Sequence, residues 1–386
     1  MASLMAGFAR EAITPPVGVH MMGYASRTVP AAGVHDELYA SAVALSDGGP
    51  GVIILALDVC FLDLDEVAEL KGRIQALAGV APERVLVNTS HTHAGPMVAR
   101  LFGLAYDASY ADAMLEQAAR AGAAAAADLR PATLNVGAAP VDIGLNRRER
   151  TADGRIILGV NPEGPRLAEA TVWRLERGSA RDIVLFSIPV HGTTLGPENL
   201  LFSSEWMGVA VRDLEANDGG ILAVFLQGCA GDQNPYREEG SFEQVEAHGR
   251  AAATAVRAGM AAARRIEGTP LRNVTVEASL PLDDGETAVC PVHGLRLGEA
   301  LLLGLGGEPF VEYALYVRQR TRSESTMVLG YTDGTVGYLP TGAAFAEGGY
   351  EVTANRHFSV GKPWAPRVER VLKSEIDTVL DHLAED

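Results

Sequence analysis

The sequence predicts an α/β protein with a layered mixed β-sheet core flanked by helices. Three observations predict it: short apolar or β-branched runs, helix-length amphipathic segments between several of them, and a globular composition. Hydrophobic residues make up 47% and charged residues 21% of the 386 positions, with a mean hydropathy of +0.09. In chain order, Val52–Leu57 is an unbroken apolar run of strand length. Glu66–Leu77 then places apolar residues three or four apart, the period of a helix with one buried face. Arg84–Thr89 is a second strand, and Tyr110–Leu129 a helix whose Ala123–Ala127 run favours close packing. Ile183–Val190 and Ile221–Gln227 are strands on either side of the helix Glu205–Leu214, and Phe242–Ile266 is a long helix. Leu297–Leu303 and Met327–Tyr331 complete the strands and Val368–Leu383 the helices. From about Asn273 helices thin out and strands dominate, which predicts mixed pairing. No repeat of 20–50 residues and no Pro/Ser linker interrupts the chain, so residues 1–386 are expected to form a single domain.

Charge narrows the partners. Against 49 acidic residues stand 32 basic ones, a net charge of −17, which argues against nucleic acid and anionic membranes. Three cysteines, Cys60, Cys229 and Cys290, form no C-x-x-C pair and read as thiols of a reducing compartment. Cys229 has only apolar or glycine neighbours, as a buried structural thiol would. Cys290-Pro-Val-His293 is half of a zinc-site pattern without a second half. The first ten residues lack a cationic segment before an apolar run, and no apolar stretch approaches the ~18 residues of a span. The expectation is a cytoplasmic chain with no membrane span and a small-molecule substrate; nothing sets its oligomeric state.

Ligand-binding groups of α/β sheets collect where strands end, and four strand ends carry such groups. They are Ser90-His91-Thr92-His93-Ala94-Gly95-Pro96, His191-Gly-Thr-Thr, Gly228-Cys-Ala-Gly231-Asp232-Gln-Asn234-Pro235 and Gly304-Leu-Gly-Gly-Glu308-Pro309. In extended chain His91 and His93 face the same side. Two histidines and a carboxylate suit Zn²⁺, leaving a position open for water whose pKa falls to about 7. A bare H-x-H also serves as a pair of backbone-bonded capping histidines, so the spacing alone leaves both readings open.

Taken together, Ile13-Thr-Pro-Pro-Val-Gly18, Met22-Gly-Tyr24, Asn88 through Pro96, Asn146-Arg-Arg148, His191 through Gly208, Gly231-Asp232, Gly307-Glu-Pro309 and Gly337-Tyr-Leu-Pro-Thr341 resemble the catalytic domain of the neutral/alkaline non-lysosomal ceramidase family. The resemblance runs from about Ala6 to about Tyr350. It implies a zinc-dependent amidase on a mixed-sheet α/β domain, with His91, His191, Glu308 and Tyr338 as metal ligands. It places His93 beside the reacting group and lines the pocket with Arg147, or its neighbour Arg148, and Tyr350. Tyr338 is either a ligand, once a cation acidifies it, or an oxyanion donor.

Three departures shape the expected substrate. The family's Gly-Asp-x-Ser-Pro reads Gly231-Asp232-Gln233-Asn234-Pro235 here, so Asn234 replaces the serine and, with Gly231 and Asp232, is expected to contact substrate rather than attack it. The immunoglobulin-like C-terminal domain of full-length ceramidases and a secretion signal have no counterpart in these residues. Glu205 stands where an aspartate is expected, and its simplest role is a first-turn acid facing the helix dipole. The resulting expectation is a zinc hydrolase cleaving a C–N amide, or an ester or lactone, of a small soluble substrate by activated water. A metal-dependent lyase or isomerase acting on a polyol or sugar acid, a true ceramidase, and a non-catalytic zinc-binding protein are the alternatives. Ser359-Val-Gly-Lys362 matches the S-x-x-K of serine amidohydrolases formally, but its companion elements are absent.

Overall fold

Val52–Leu57 is apolar at every position because both faces of its strand are covered. In the computed structural model, which describes residues 3–99, 106–323 and 325–385, it is second in a five-stranded sheet ordered 85–89, 52–57, 39–46, 5–12, 130–131. Val52 and Ile54 join a central apolar cluster, while Ile53, Leu55 and Leu57 pack against helices α1 (Leu64–Ala78) and α2 (Ala108–Ala127). Pairing is antiparallel except between 52–57 and 85–89, which the α1 crossover makes parallel.

The second sheet repeats this plan. Its order is 221–227, 182–188, 169–176, 133–140, 264–266, again antiparallel apart from the parallel pair 182–188 and 221–227. Helices α3 (Glu205–Asn217) and α4 (Phe242–Ala261) cover its outer face as α1 and α2 cover the first. The elements follow one another in the same chain order in both units, a duplication longer than the 20–50 residues of ordinary sequence repeats. A third sheet, 271–281, 287–297, 300–305, 326–329, is parallel only in its last pair; α5 (Val311–Thr321) and α8 (Val368–Ala384) pack on it. Two short helices, α6 (Gly342–Glu347) and α7 (Tyr350–Thr353), lie before α8.

The inner faces of all three sheets meet in one cluster that includes Leu45, Ile54, Trp173, Leu185, Leu295 and Leu329. Each such side chain contributes roughly 1.5–3 kcal/mol on burial, so this cluster joins the layers. Asn88 ties the two units at their edges, accepting from Gln227 N–H at 2.8 Å and donating to Gly330 O at 2.8 Å. The parallel pairs thereby end side by side, and their exit loops share one crevice.

Three boundaries differ from expectation. Leu297–Leu303 is not one strand but the corner of a hairpin, with Gly298 in the left-handed region (φ +56°) and Glu299 between strands 287–297 and 300–305. The helix expected over Phe242–Ile266 stops at Ala261 because 264–266 turns back as an edge strand. Helices do not thin out after Asn273: α5 was missed because its buried stripe, Val311, Tyr313, Ala314 and Val317, is short and followed by arginines.

Candidate functional site

His91 leaves strand 85–89 in the left-handed region (φ +58°), its N–H bonded to Val59 O at 3.0 Å. Its Nδ1 lies 2.9 Å from Cys60 O, so a proton on Nδ1 is bonded to the backbone and Nε2 is the nitrogen that faces Glu308. His191 follows strand 182–188, and its Nδ1 lies 3.0 Å from Gln233 O to the same effect. Glu308 comes after strand 300–305 and pairs in a two-residue parallel ladder with Tyr338. Glu308 Oε2 lies 3.3 Å from His91 Nε2 and 3.4 Å from His191 Nε2, and all three side chains are buried. Four-coordinate Zn²⁺ with bonds of 2.0–2.1 Å separates its ligands by about 3.3 Å, so the donor set fits that ion in type and in spacing.

The electrostatics agree. Burial, helped by Arg147 and His91, pushes His191 down to about 4, so its imidazole is neutral. Burial opposes ionisation of Glu308, yet His91 and His191 hold it well below the usual carboxylate range. Burial also opposes a charge on His91, and Cys60 and Glu308 overcome it, raising the group to about 10. Without an ion the protonated His91 is the positive partner of Glu308, and a bound cation would take that place.

Around this trio, His93 Nε2 lies 3.0 Å from His91 Nε2, and burial followed by the two neighbouring histidines depresses its proton affinity well below normal. Of the two candidate arginines, Arg147 reaches the site: its Nη1 is 3.2 Å from His191 Nε2 and donates to Asn234 Oδ1 at 3.2 Å. Its guanidinium carbon sits 5.3 Å from the Tyr338 ring centroid, and Tyr350 packs edge-on to Tyr338 at 5.5 Å. Arg148 points behind the site to Phe310 and Gly348 O. Both arginines share Glu351, at 2.9 and 2.7 Å. His93, Arg147, Asn234, Tyr338 and Tyr350 line a cavity of about 700 Å³ that Tyr24, Leu158, Val160 and Tyr236 also border.

Gly231 and Asp232 are not in that wall, contrary to the expected substrate contact. A Cβ on Gly231 would lie 2.3 Å from Glu308 O, so the glycine is there to let the Glu308 segment approach. Asp232 accepts from Val311 N at 2.9 Å at the start of α5 and from Asn146 Nδ2 at 2.7 Å; burial pushes its carboxyl up to about 6. Glu205 opens α3 as expected, but in the left-handed region, and its carboxylate accepts from Leu195 N at 2.8 Å, tying down the loop after His191. Cys229 is fully buried and burial pushes its thiol up, as befits a structural residue. Cys290 and His293 lie within strand 287–297, where His293 is buried between Asp333 at 2.7 Å and Asn273 at 2.8 Å. Lys362 is tied to Asp284 and Glu286 at the surface. Sequence reading missed Tyr331, which touches His91 and Glu308, and Glu351, an isolated acid with no spacing to mark it.

Two imidazoles and a carboxylate at the common end of three parallel strand pairs define the class, an α/β protein with a candidate mononuclear metal centre. Residues 4–251, well over half of the chain, match the neutral/alkaline non-lysosomal ceramidase N-terminal family, and the chain belongs to it. It is 25% identical over 242 residues to the neutral ceramidase of Mycobacterium tuberculosis, a stretch covering 56% of this chain and 37% of that protein. The fold superposes on the crystal structure of neutral ceramidase from Pseudomonas aeruginosa with a TM-score of 0.83 at 18% identity, over 98% of this chain and 74% of that one. A ceramidase complexed with C2 gives 0.81 at 16% identity, over 97% and 74%. These two likenesses carry the mixed α/β fold.

Proposed function

We propose that the protein is a zinc-dependent hydrolase of a C–N amide, or of an ester or lactone, in a small soluble substrate. The approach of Glu308 Oε2 to His91 Nε2 at 3.3 Å and to His191 Nε2 at 3.4 Å, with all three atoms within 4.8 Å of one another, carries this reading. Zinc held there would supply Lewis acidity, acidifying a water and polarising a carbonyl. His93, kept neutral by burial and its neighbours, accepts and returns a proton at Nε2. Tyr338 stays a phenol because burial, and then Glu308, raises it well above the normal range, so it donates from its hydroxyl. With the Arg147 guanidinium over its ring, it forms a donor pair for an oxyanion. Asn234 spends its Oδ1 on Arg147 and keeps its amide N–H groups for substrate. No serine or reactive thiol among these residues offers covalent catalysis, and activated water remains as nucleophile.

Leu158 and Val160, 49% and 60% exposed at the cavity mouth, favour a second reading in which the substrate carries an apolar chain, as a ceramide does. A panel of N-acyl amino acids, amino-sugar amides, lactones and short-chain ceramides, assayed with zinc and with chelator, separates the two. Faster turnover of the soluble compounds is expected; ceramides outrunning all of them would overturn the substrate assignment. Turnover in heavy-oxygen water should label the new carboxylate, and an unlabelled, isomerised product would overturn the hydrolase reading.

A further inference from the structure

We propose that Tyr331 is a positioning residue of the metal centre, fixing the ring plane of His91 through its own ring and the orientation of Glu308 through its hydroxyl. The inference rests on the reading that His91, His191 and Glu308 hold a divalent ion. The Tyr331 and His91 rings stack with centroids 4.1 Å apart and planes 29° apart, and the phenol donates to Glu308 Oε2 at 3.3 Å. That oxygen is the one both histidine Nε2 atoms face. The side chain is 1% exposed, so neither contact is shared with solvent.

The backbone explains how the tyrosine gets there. Tyr331 (φ +50°) and Asp333 (φ +58°) both occupy the left-handed region, a strained conformation for a non-glycine residue. Such a turn persists only when its surroundings over-determine it, and these do. Tyr331 N–H donates to Gly307 O at 2.7 Å, next to Glu308, and Tyr331 O accepts from Thr89 N–H at 3.2 Å, on the strand that leads to His91. Asp333 exchanges bonds with Val87, donating N–H to its carbonyl at 2.7 Å and accepting its N–H at 2.9 Å. The Asp333 carboxylate is also pinned by Lys71 at 2.8 Å and His293 at 2.7 Å. The segment is thus bonded to both ligand-bearing stretches, and Tyr331 projects between their side chains. Tyr338, by contrast, is engaged with Arg147.

The test uses the full chain, with zinc affinity read by competition against a chromophoric chelator and thermal midpoints read with and without zinc. Tyr331→Phe keeps the stack and removes the hydroxyl; Tyr331→Leu removes both. Tyr331→Phe should weaken zinc binding about tenfold and Tyr331→Leu up to about a hundredfold. The zinc-free midpoint of the Phe variant should match wild type. Binding of the Phe variant within twofold of wild type overturns the proposal. So does an equal fall of its midpoints with and without zinc, because a packing role alone would do that. Wild-type protein that binds no zinc would instead defeat the metal reading itself, a result separable from either of these.

Discussion

Glu351→Gln tests the part of the site that charge accounting governs. The Glu351 side chain is fully buried and bonds two guanidinium groups, Arg147 Nε at 2.9 Å and Arg148 Nη1 at 2.7 Å, themselves about 5% and 7% exposed. Burial works against the charge on Arg147; Tyr338 and then Glu351 hold it on. Glutamine preserves shape but removes the charge, and breaking a buried pair costs about 3–5 kcal/mol because the remaining charge is stranded. Arg148 retains Glu347 at 3.3 Å and Gly348 O at 2.9 Å, so only Arg147 loses its full partner and the lower figure, about 3 kcal/mol, applies. Glu347→Gln is the matched control: its carboxylate is 39% exposed, and exposed pairs contribute about 0–1 kcal/mol. Equilibrium urea unfolding of both variants reads the difference, a midpoint shift approaching ~1 M for Glu351→Gln if m is about 3 kcal/mol/M. Activity should fall too, because Glu351 orients the guanidinium beside His191 and anchors the short helix bearing Tyr350. A loss under about 1 kcal/mol, or one equal to that of Glu347→Gln, would refute the reasoning.

Gly231→Ala should displace Glu308, since the new methyl would meet backbone oxygens at 2.3 and 2.9 Å; a stability loss of about 1–3 kcal/mol and reduced zinc stoichiometry are expected, and wild-type values of both would contradict the close approach. Burial opposes ionisation of Asp333, but Lys71 and His293 depress its pKa to about 2, so its contribution is present above the unfolded value near 3.8 and is lost as pH falls through 2. Asp333→Asn should therefore lose roughly 2–3 kcal/mol at neutral pH and flatten the acid limb of the unfolding curve between pH 4 and 2; an unchanged limb would disprove the assignment. His191→Ala should abolish stoichiometric metal by elemental analysis, and chelation should lower the wild-type thermal midpoint through the loss of about 4 kcal/mol of stability if zinc stands at a thousand times Kd. Full metal retention in the variant would remove His191 from the centre.

Much of this site was legible because strand ends announce themselves: an apolar run stops, and His91, His191 or Glu308 follows within a few residues. The resemblance supplied the pocket residues that spacing alone left open, and geometry then separated Arg147 from Arg148. What stayed hidden is what only tertiary approach creates. Leucines on both sides of Gly298 erase the hairpin corner from the hydropathy pattern. Gly231 and Asp232 lie in a family motif, yet they serve the backbone of Glu308 and the start of α5. Tyr331 gains its position from a left-handed turn held by Val87, Lys71 and His293, which come from distant parts of the chain.

The duplicated plan bears on why the centre sits where it does. His91 lies two residues beyond the fourth long strand of the first unit, and Cys229 holds the corresponding place in the second. His191 lies three residues beyond the third long strand of the second unit, where the first unit has Cys60. Each unit thus supplies one imidazole, from non-equivalent loops, and each keeps a buried thiol at the other's position. Neither unit alone supplies both ligand histidines, His91 and His191, and Glu308 comes from the third sheet. Asn88, bonded to Gln227 and Gly330, helps to hold the three exit loops in register, as do the Thr89–Tyr331 and His93–Gly192 backbone bonds. The centre is a property of that junction, so the alignment of its donors depends on how the sheets pack as much as on the ligands themselves.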